Sequence, residues 1–151
     1  MNNVSMNLSE HFSLAEMCKT SANLDNVPNE AQVENLKRLC GWLEMLRSEW
    51  NKRYGEGNDP IIINSGFRSE AVNKAVGGVK GSNHLGGCAA DIRVAGIEQL
   101  VRYATILLDI SDESKEDFDE LLLERSPKGN YWLHFAVRPS GNRRKVRLIQ
   151  T

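Results

Sequence analysis

Ten residues, Ser82-Asn83-His84-Leu85-Gly86-Gly87-Cys88-Ala89-Ala90-Asp91, restrict the fold of this chain more than any other stretch. A histidine and an aspartate bracket six residues, four of them glycine or alanine. Core packing gives no reason to leave so little side-chain volume between two polar groups. A narrow turn that brings an imidazole nitrogen and a carboxylate oxygen to one point does. Residues 89–94 then read as a strand, with Ala89, Asp91 and Arg93 on one face. Cys88, Ala90, Ile92 and Val94 take the other, so Asp91 faces a site and Cys88 the core.

A second histidine, His134 in Tyr131-Trp132-Leu133-His134-Phe135, supplies a third candidate ligand. Two histidines and one carboxylate, with a fourth position left to water, is the ligand count of a catalytic zinc. Residues 118–124 and 131–137 read as a hairpin across Ser126-Pro127-Lys128-Gly129-Asn130. Turning Leu121 and Leu123 to the core with Leu133, Phe135 and Val137 sets Leu123 opposite Leu133. Leu122 then faces His134, and Glu124 faces Trp132. Diagonal neighbours on such a face are ~7–8 Å apart by backbone spacing. Glu124 is the preferred general base on this register, and Glu120, the other diagonal neighbour of His134, stays open.

With His84, Asp91 and His134 holding zinc, the pKa of a bound water falls toward ~7. Glu124 would take its proton during attack on an amide carbonyl and return it to the leaving amine. Arg68, in Ser65-Gly66-Phe67-Arg68, suits a bidentate clamp on a substrate carboxylate. Ser82 and Trp132 flank the ligands and are expected, with Arg68, to bind substrate, Ser82 through a hydrogen bond beside the site; His11 reads as a surface residue. Gly77-Gly78 offers a phosphate-binding reading, against which stand the lack of a P-loop lysine and of a helix opening after a strand.

The rest of the chain supplies a scaffold. Ser13 and Glu16 suggest a capping box on a short first helix. A long helix is predicted over residues 30–53, with Val33, Leu36, Leu39, Cys40, Leu43, Leu46 and Trp50 on one side. Ile61-Ile62-Ile63 reads as a central strand. Ser69 caps a helix through Val76, and residues 97–110 form a second amphipathic helix. Residues 145–149 read as an edge strand. The prediction is a single α+β domain over 1–151, with an N-terminal helix and arm in 1–29 and the core in 30–149. Helices pack on one side of a mostly antiparallel sheet, with the zinc site on the sheet face.

Nineteen Lys and Arg against twenty acids, a net charge of -1, provide no bulk attraction for nucleic acid or an anionic membrane. No apolar run is long enough to span a bilayer. The first seven residues carry no signal-peptide pattern, and three scattered cysteines favour free thiols. The expectation is a monomer, cytoplasmic as synthesised, without membrane insertion.

The pattern Ser82, His84, Gly87, Ala89, Asp91 resembles the zinc D-alanyl-D-alanine carboxypeptidase family. Ser65-Gly66-Phe67-Arg68-Ser69 upstream and Trp132-Leu133-His134 downstream match two further motifs of that family in order and spacing. The similarity is to its short phage- and prophage-associated branch of cell-wall peptidases. It implies the hedgehog/D-Ala-D-Ala-peptidase type of fold, one zinc at His84, Asp91 and His134, and Arg68 on the substrate carboxylate. Peptidoglycan stem peptides would be the substrate, trimmed at terminal D-Ala or cut internally as by an endolysin, after release to the wall. Many members place an acid three residues before the last histidine, where this chain has Tyr131. The short branch instead carries a glutamate at the end of the preceding strand, matched here by Glu124. The rival expectations are a non-hydrolytic zinc-stabilised module that binds peptidoglycan or protein, and a metal-free structural domain.

Overall fold

Asn29 starts the longest helix by exchanging hydrogen bonds with Gln32: each side chain accepts from the other's backbone N–H, both at 2.8 Å. This capping box satisfies two donors that a helix start leaves free. Helix α2, Glu30–Arg53, follows the short α1, Leu14–Met17, which Ser13 caps through the backbone N–H of Glu16 alone. The computed structural model describes residues 6–151. Residues 1–5, which open the stretch read as lacking a signal-peptide pattern and fall within the predicted arm, lie outside it.

Strand β1, Ile63–Ser65, leads to α3, Glu70–Ala75, and a 3₁₀ turn at Asn83–Gly86. Strand β2, Ala89–Arg93, is followed by α4, Ile97–Ser114. Strands β3, Glu120–Arg125, β4, Tyr131–Ala136, and β5, Lys145–Gln150, complete the chain. The sheet order is β1-β2-β4-β3-β5, antiparallel except where β5 runs parallel to β3 at the edge. The α+β prediction therefore stands.

Alternation divides the sheet into two faces. Ala90, Ile92, Leu121, Leu133 and Phe135 are buried in one core with Leu36, Leu39, Leu43 and Leu46 of α2 and Leu100, Ile106 and Leu107 of α4. Trp42 of α2, absent from the predicted helix face, lies edge-on to Phe118 and 5.4 Å from the ring of Phe135. The opposite face carries Asp91, Glu120, Leu122, Glu124, Trp132 and His134. The predicted hairpin register holds at every pair: Leu122 with His134, Leu123 with Leu133, Glu124 with Trp132.

One strand differs from its expectation. The sequence predicts a central strand at Ile61-Ile62-Ile63, but β1 starts at Ile63 and occupies the sheet edge. Ile61 and Ile63 are buried because Leu8, Phe12, Leu14 and Met17 join their core. The N-terminal segment is fastened there by the Phe67 N–H, which donates to the Met17 carbonyl at 2.8 Å. Burial by the N-terminal segment thus mimics in sequence the burial of an interior strand. Among the described residues no helix is long and apolar enough to cross a membrane. The three cysteines are free, and Cys88 is buried as its strand face predicts. His11 is exposed and pairs with Glu44 at 2.7 Å.

Candidate metal site and its cleft

Gly87 shows why the opening motif needs glycine. It ends the 3₁₀ turn in the left-handed region, at φ 74°, and a Cβ there would stand 2.7 Å from the Gln32 carbonyl oxygen. The turn is pressed against α2, whose side chains hold it: Gln32 Nε2 donates to Leu85 O at 3.1 Å and Asn35 Nδ2 to Gly86 O at 2.9 Å. Ser82 caps the turn, its hydroxyl accepting from the His84 N–H at 3.2 Å.

His84 is buried, and its Nδ1 lies 2.7 Å from the Gly66 carbonyl. A carbonyl can only accept, so Nδ1 carries the proton and Nε2 presents its lone pair. That Nε2 stands 3.4 Å from Asp91 Oδ1. His134, cross-strand partner of Asp91, puts Nδ1 3.1 Å from the same oxygen and Nε2 3.0 Å from Glu120 Oε1. One donor atom from each of His84, Asp91 and His134 lies within 4.8 Å of the others. Ligands at ~2.0–2.2 Å from a tetrahedral metal stand roughly 3.3 Å apart, which the two measured separations match. Each histidine also gives its outer N–H to an oxygen, the orienting arrangement typical of metal-ligating imidazoles. The nitrogen and carboxylate donor set and its spacing fit zinc.

The charges are strongly coupled. Burial pushes the Asp91 carboxyl up, but the hydrogen bond from His134 and the neighbouring His84 ring outweigh it and hold the group well below the usual range. Burial likewise works against a charged His134, yet its bonds to Asp91 and Glu120 raise it to about 9. The bond from His134, with burial opposing it and Asn83 assisting, lowers Glu120 to about 2. Glu124 moves the other way: burial pushes its carboxyl up.

Arg68, Ser82, His84, Asp91, Glu124 and Trp132 line one cleft of about 600 Å³, together with His134 and Glu120. Arg68 does more there than its expected role requires. Nη2 reaches the second oxygen of Asp91 at 3.3 Å, Nε donates to Ser65 Oγ at 3.0 Å, and Nη1 to Asn73 Oδ1 at 3.3 Å. Three of five guanidinium N–H groups are spent, leaving two. A shift in the β1–β2 register sets Ser65 opposite Asp91 and so delivers this arginine to the site. Glu124 Oε2 accepts from Trp132 Nε1 at 3.1 Å.

The peptidase M15 family model matches residues 10–111. The chain belongs to that family. The M15 match spans Arg68, Ser82, His84 and Asp91, while Glu120, Glu124, Trp132 and His134 lie beyond it. A zinc D-Ala-D-Ala carboxypeptidase of Streptomyces albus G is 48% identical over 40 residues, 26% of this chain. The aligned part is only 16% of that relative's length.

Sequence reasoning missed four residues around this M15 site. Asp119 is fully buried and bound by Arg143 through Nε at 3.0 Å and Nη2 at 2.8 Å. Asn83 Nδ2 donates to Asp119 Oδ2 at 2.8 Å and Glu120 Oε1 at 2.6 Å, and its Oδ1 accepts from Arg138 Nε at 2.9 Å. The available signal was the adjacent acids Asp119-Glu120 at a strand start, preceded by the apolar Phe118.

Proposed function

We propose that the chain is a zinc metallopeptidase acting on peptidoglycan stem peptides, either removing terminal D-Ala or cutting within the stem. His84, Asp91 and His134 are the ligands in this reading, Glu124 the general base, and Arg68, Ser82 and Trp132 the substrate-facing residues. The observation that carries it is the convergence of three metal donors under a cleft that also holds an acid, Glu124, engaged with neither histidine. Family membership supports the reaction class, and the relative's name supports the metal and the wall peptide.

Zinc held by three protein ligands supplies Lewis acidity to water and to a substrate carbonyl oxygen. Glu124 takes one proton from the attacking water as the remaining hydroxyl bonds to the carbonyl carbon. It gives that proton to the amide nitrogen as the carbon–nitrogen bond breaks, so the carboxylate is regenerated. Trp132 fixes one Glu124 oxygen and leaves the other to handle the proton. A carboxyl pushed up by burial suits both halves of this exchange, since its pKa moves toward working pH. Arg68 braces Asp91 and offers its two remaining N–H groups to a substrate carboxylate.

Digestion of purified peptidoglycan, with mass spectrometry of the products, tests this reading. The zinc-loaded protein should release D-Ala or internal stem fragments, and the product identifies the bond. Chelated protein and Glu124→Gln should release neither. Binding without hydrolysis by zinc-loaded protein, across several wall chemotypes, would replace this reading, its endolysin-like form included, with a non-hydrolytic zinc module.

A further inference from the structure

His84 and His134 come from separate segments, and Asn83 joins them. It precedes His84 in the chain, while its amide reaches Glu120, which in turn holds the His134 ring. We infer that Asn83 and Glu120 are positioning residues of the metal site, a pair that fixes His134 with Nδ1 toward the metal and Nε2 away from it. The inference rests on reading His84, Asp91 and His134 as the ligands.

An imidazole can ligate through either nitrogen, and the hydrogen bond made by the other decides which. Glu120 Oε1, 3.0 Å from Nε2, makes that decision for His134, because it leaves Nδ1 to face Asp91. A glutamate alone would be a loose guide, with three rotatable bonds to settle. Here its Oε1 also accepts from Asn83 at 2.6 Å, and Arg143 Nη2 stands 3.8 Å from Oε2.

Asn83 is itself fully determined. Its NH₂ faces two carboxylates, Asp119 and Glu120, and its oxygen faces the Arg138 guanidinium. Flipping the amide would point an oxygen at two anions and hydrogens at a cation. Asp119, buried and gripped by Arg143 through its backbone N–H as well as its side chain, anchors the far end. Every member of the chain Arg138–Asn83–Glu120–His134 therefore has a partner that dictates its orientation, the condition under which a polar network rigidifies a site.

The same geometry separates the two acids of the cleft face. Glu120 is occupied on the outer side of His134, the side turned away from Asp91. Glu124, two residues along β3, contacts Trp132 and neither histidine. Glu120 holds a ligand, and Glu124 is left for the proton.

Zinc dissociation constants by chelator competition test this, alongside melting of the metal-free proteins and ¹⁵N spectroscopy of His134. Glu120→Ala should weaken zinc ~10–100-fold, the range for losing an orienting partner, and Asn83→Ala should weaken it in the same direction. Glu120→Gln keeps an acceptor oxygen and should remain near wild type in zinc affinity and kcat. Zinc-loaded wild-type protein should show Nδ1 metallated and Nε2 protonated, a readout that depends on no variant folding. Metallation at Nε2 would overturn the inference. So would Glu120→Ala that lowers only the metal-free melting temperature, or Glu120→Gln that abolishes kcat with zinc affinity intact. Wild-type protein that binds no zinc, or His84→Ala that binds it as well as wild type, would overturn the ligand reading underneath.

Discussion

Asp91 and His134 are direct cross-strand partners on β2 and β4, and Oδ1 of the first lies 3.1 Å from Nδ1 of the second. Two of three candidate ligands are thus set by sheet register. A slip of one residue in either strand would send its ligand to the opposite face, and the apolar face made by Ile92, Leu133 and Phe135 forbids it. The hydrophobic core and the metal site are specified by the same alternation.

Glu124→Gln should lower kcat ~10²–10⁴-fold, the usual worth of a positioned acid–base group, and leave zinc affinity unchanged. Steady-state kinetics on a stem peptide, paired with chelator competition, measures both. Retention of full activity would remove Glu124 as the base.

With His134 as a zinc ligand, as proposed, zinc and a proton would compete for it. In the metal-free protein its pKa is raised to about 9, so below that pH binding must expel the proton. Apparent zinc affinity should rise with pH from 6 toward 9, by about tenfold per unit where this single proton dominates. Chelator competition at a series of pH values checks it, and a flat profile would contradict it.

Much of the site was legible in the sequence because it is local or periodic. His84, Gly87 and Asp91 lie in one short run, and the apolar pattern of 121–123 and 133–137 fixed which residues oppose His134. The edge position of β1 was not legible, since Ile61 and Ile63 are covered by the N-terminal segment rather than by flanking strands. Asn83, Asp119, Arg138 and Arg143 were also hidden. Their roles arise from pairings across 24 to 55 positions of sequence, and nothing in their neighbours' pattern announces them.

Asp119 should make the protein acid-sensitive in a defined window. Burial works against its charge, but Arg143 and Asn83 outweigh it, and the pKa falls to about 2 from the ordinary 3.8. A carboxylate lowered in the folded state stabilises above its unfolded pKa and loses that contribution as pH falls through the folded one. The contribution is about 2 kcal/mol, lost between roughly pH 4 and 2. In urea titrations of metal-free protein, Asp119→Asn should start less stable at pH 6 and fall less steeply across that window. Parallel wild-type and variant curves would be the opposing result.

Gly87→Ala should damage the metal site without touching a ligand. The left-handed backbone costs a Cβ-bearing residue about 1–2 kcal/mol, and the new methyl meets the Gln32 carbonyl at 2.7 Å. Either the 3₁₀ turn or α2 must move. The expected outcome is a lower melting temperature together with weaker zinc binding, read by calorimetry and chelator competition. A stable variant with native zinc affinity would show that the turn can shift without carrying His84.

The hydrogen bonds from Gln32 and Asn35 to the 3₁₀ turn have a kinetic consequence. They tether the His84 loop to the helix that organises the core, so its chain entropy is spent during folding and not at ion capture. Little loop closure remains when an ion arrives. Under the proposed ligand set, the speed of metal uptake should then be governed by diffusion into the cleft and by departure of a proton from His134, and exchange of one ion for another should leave the backbone where it was.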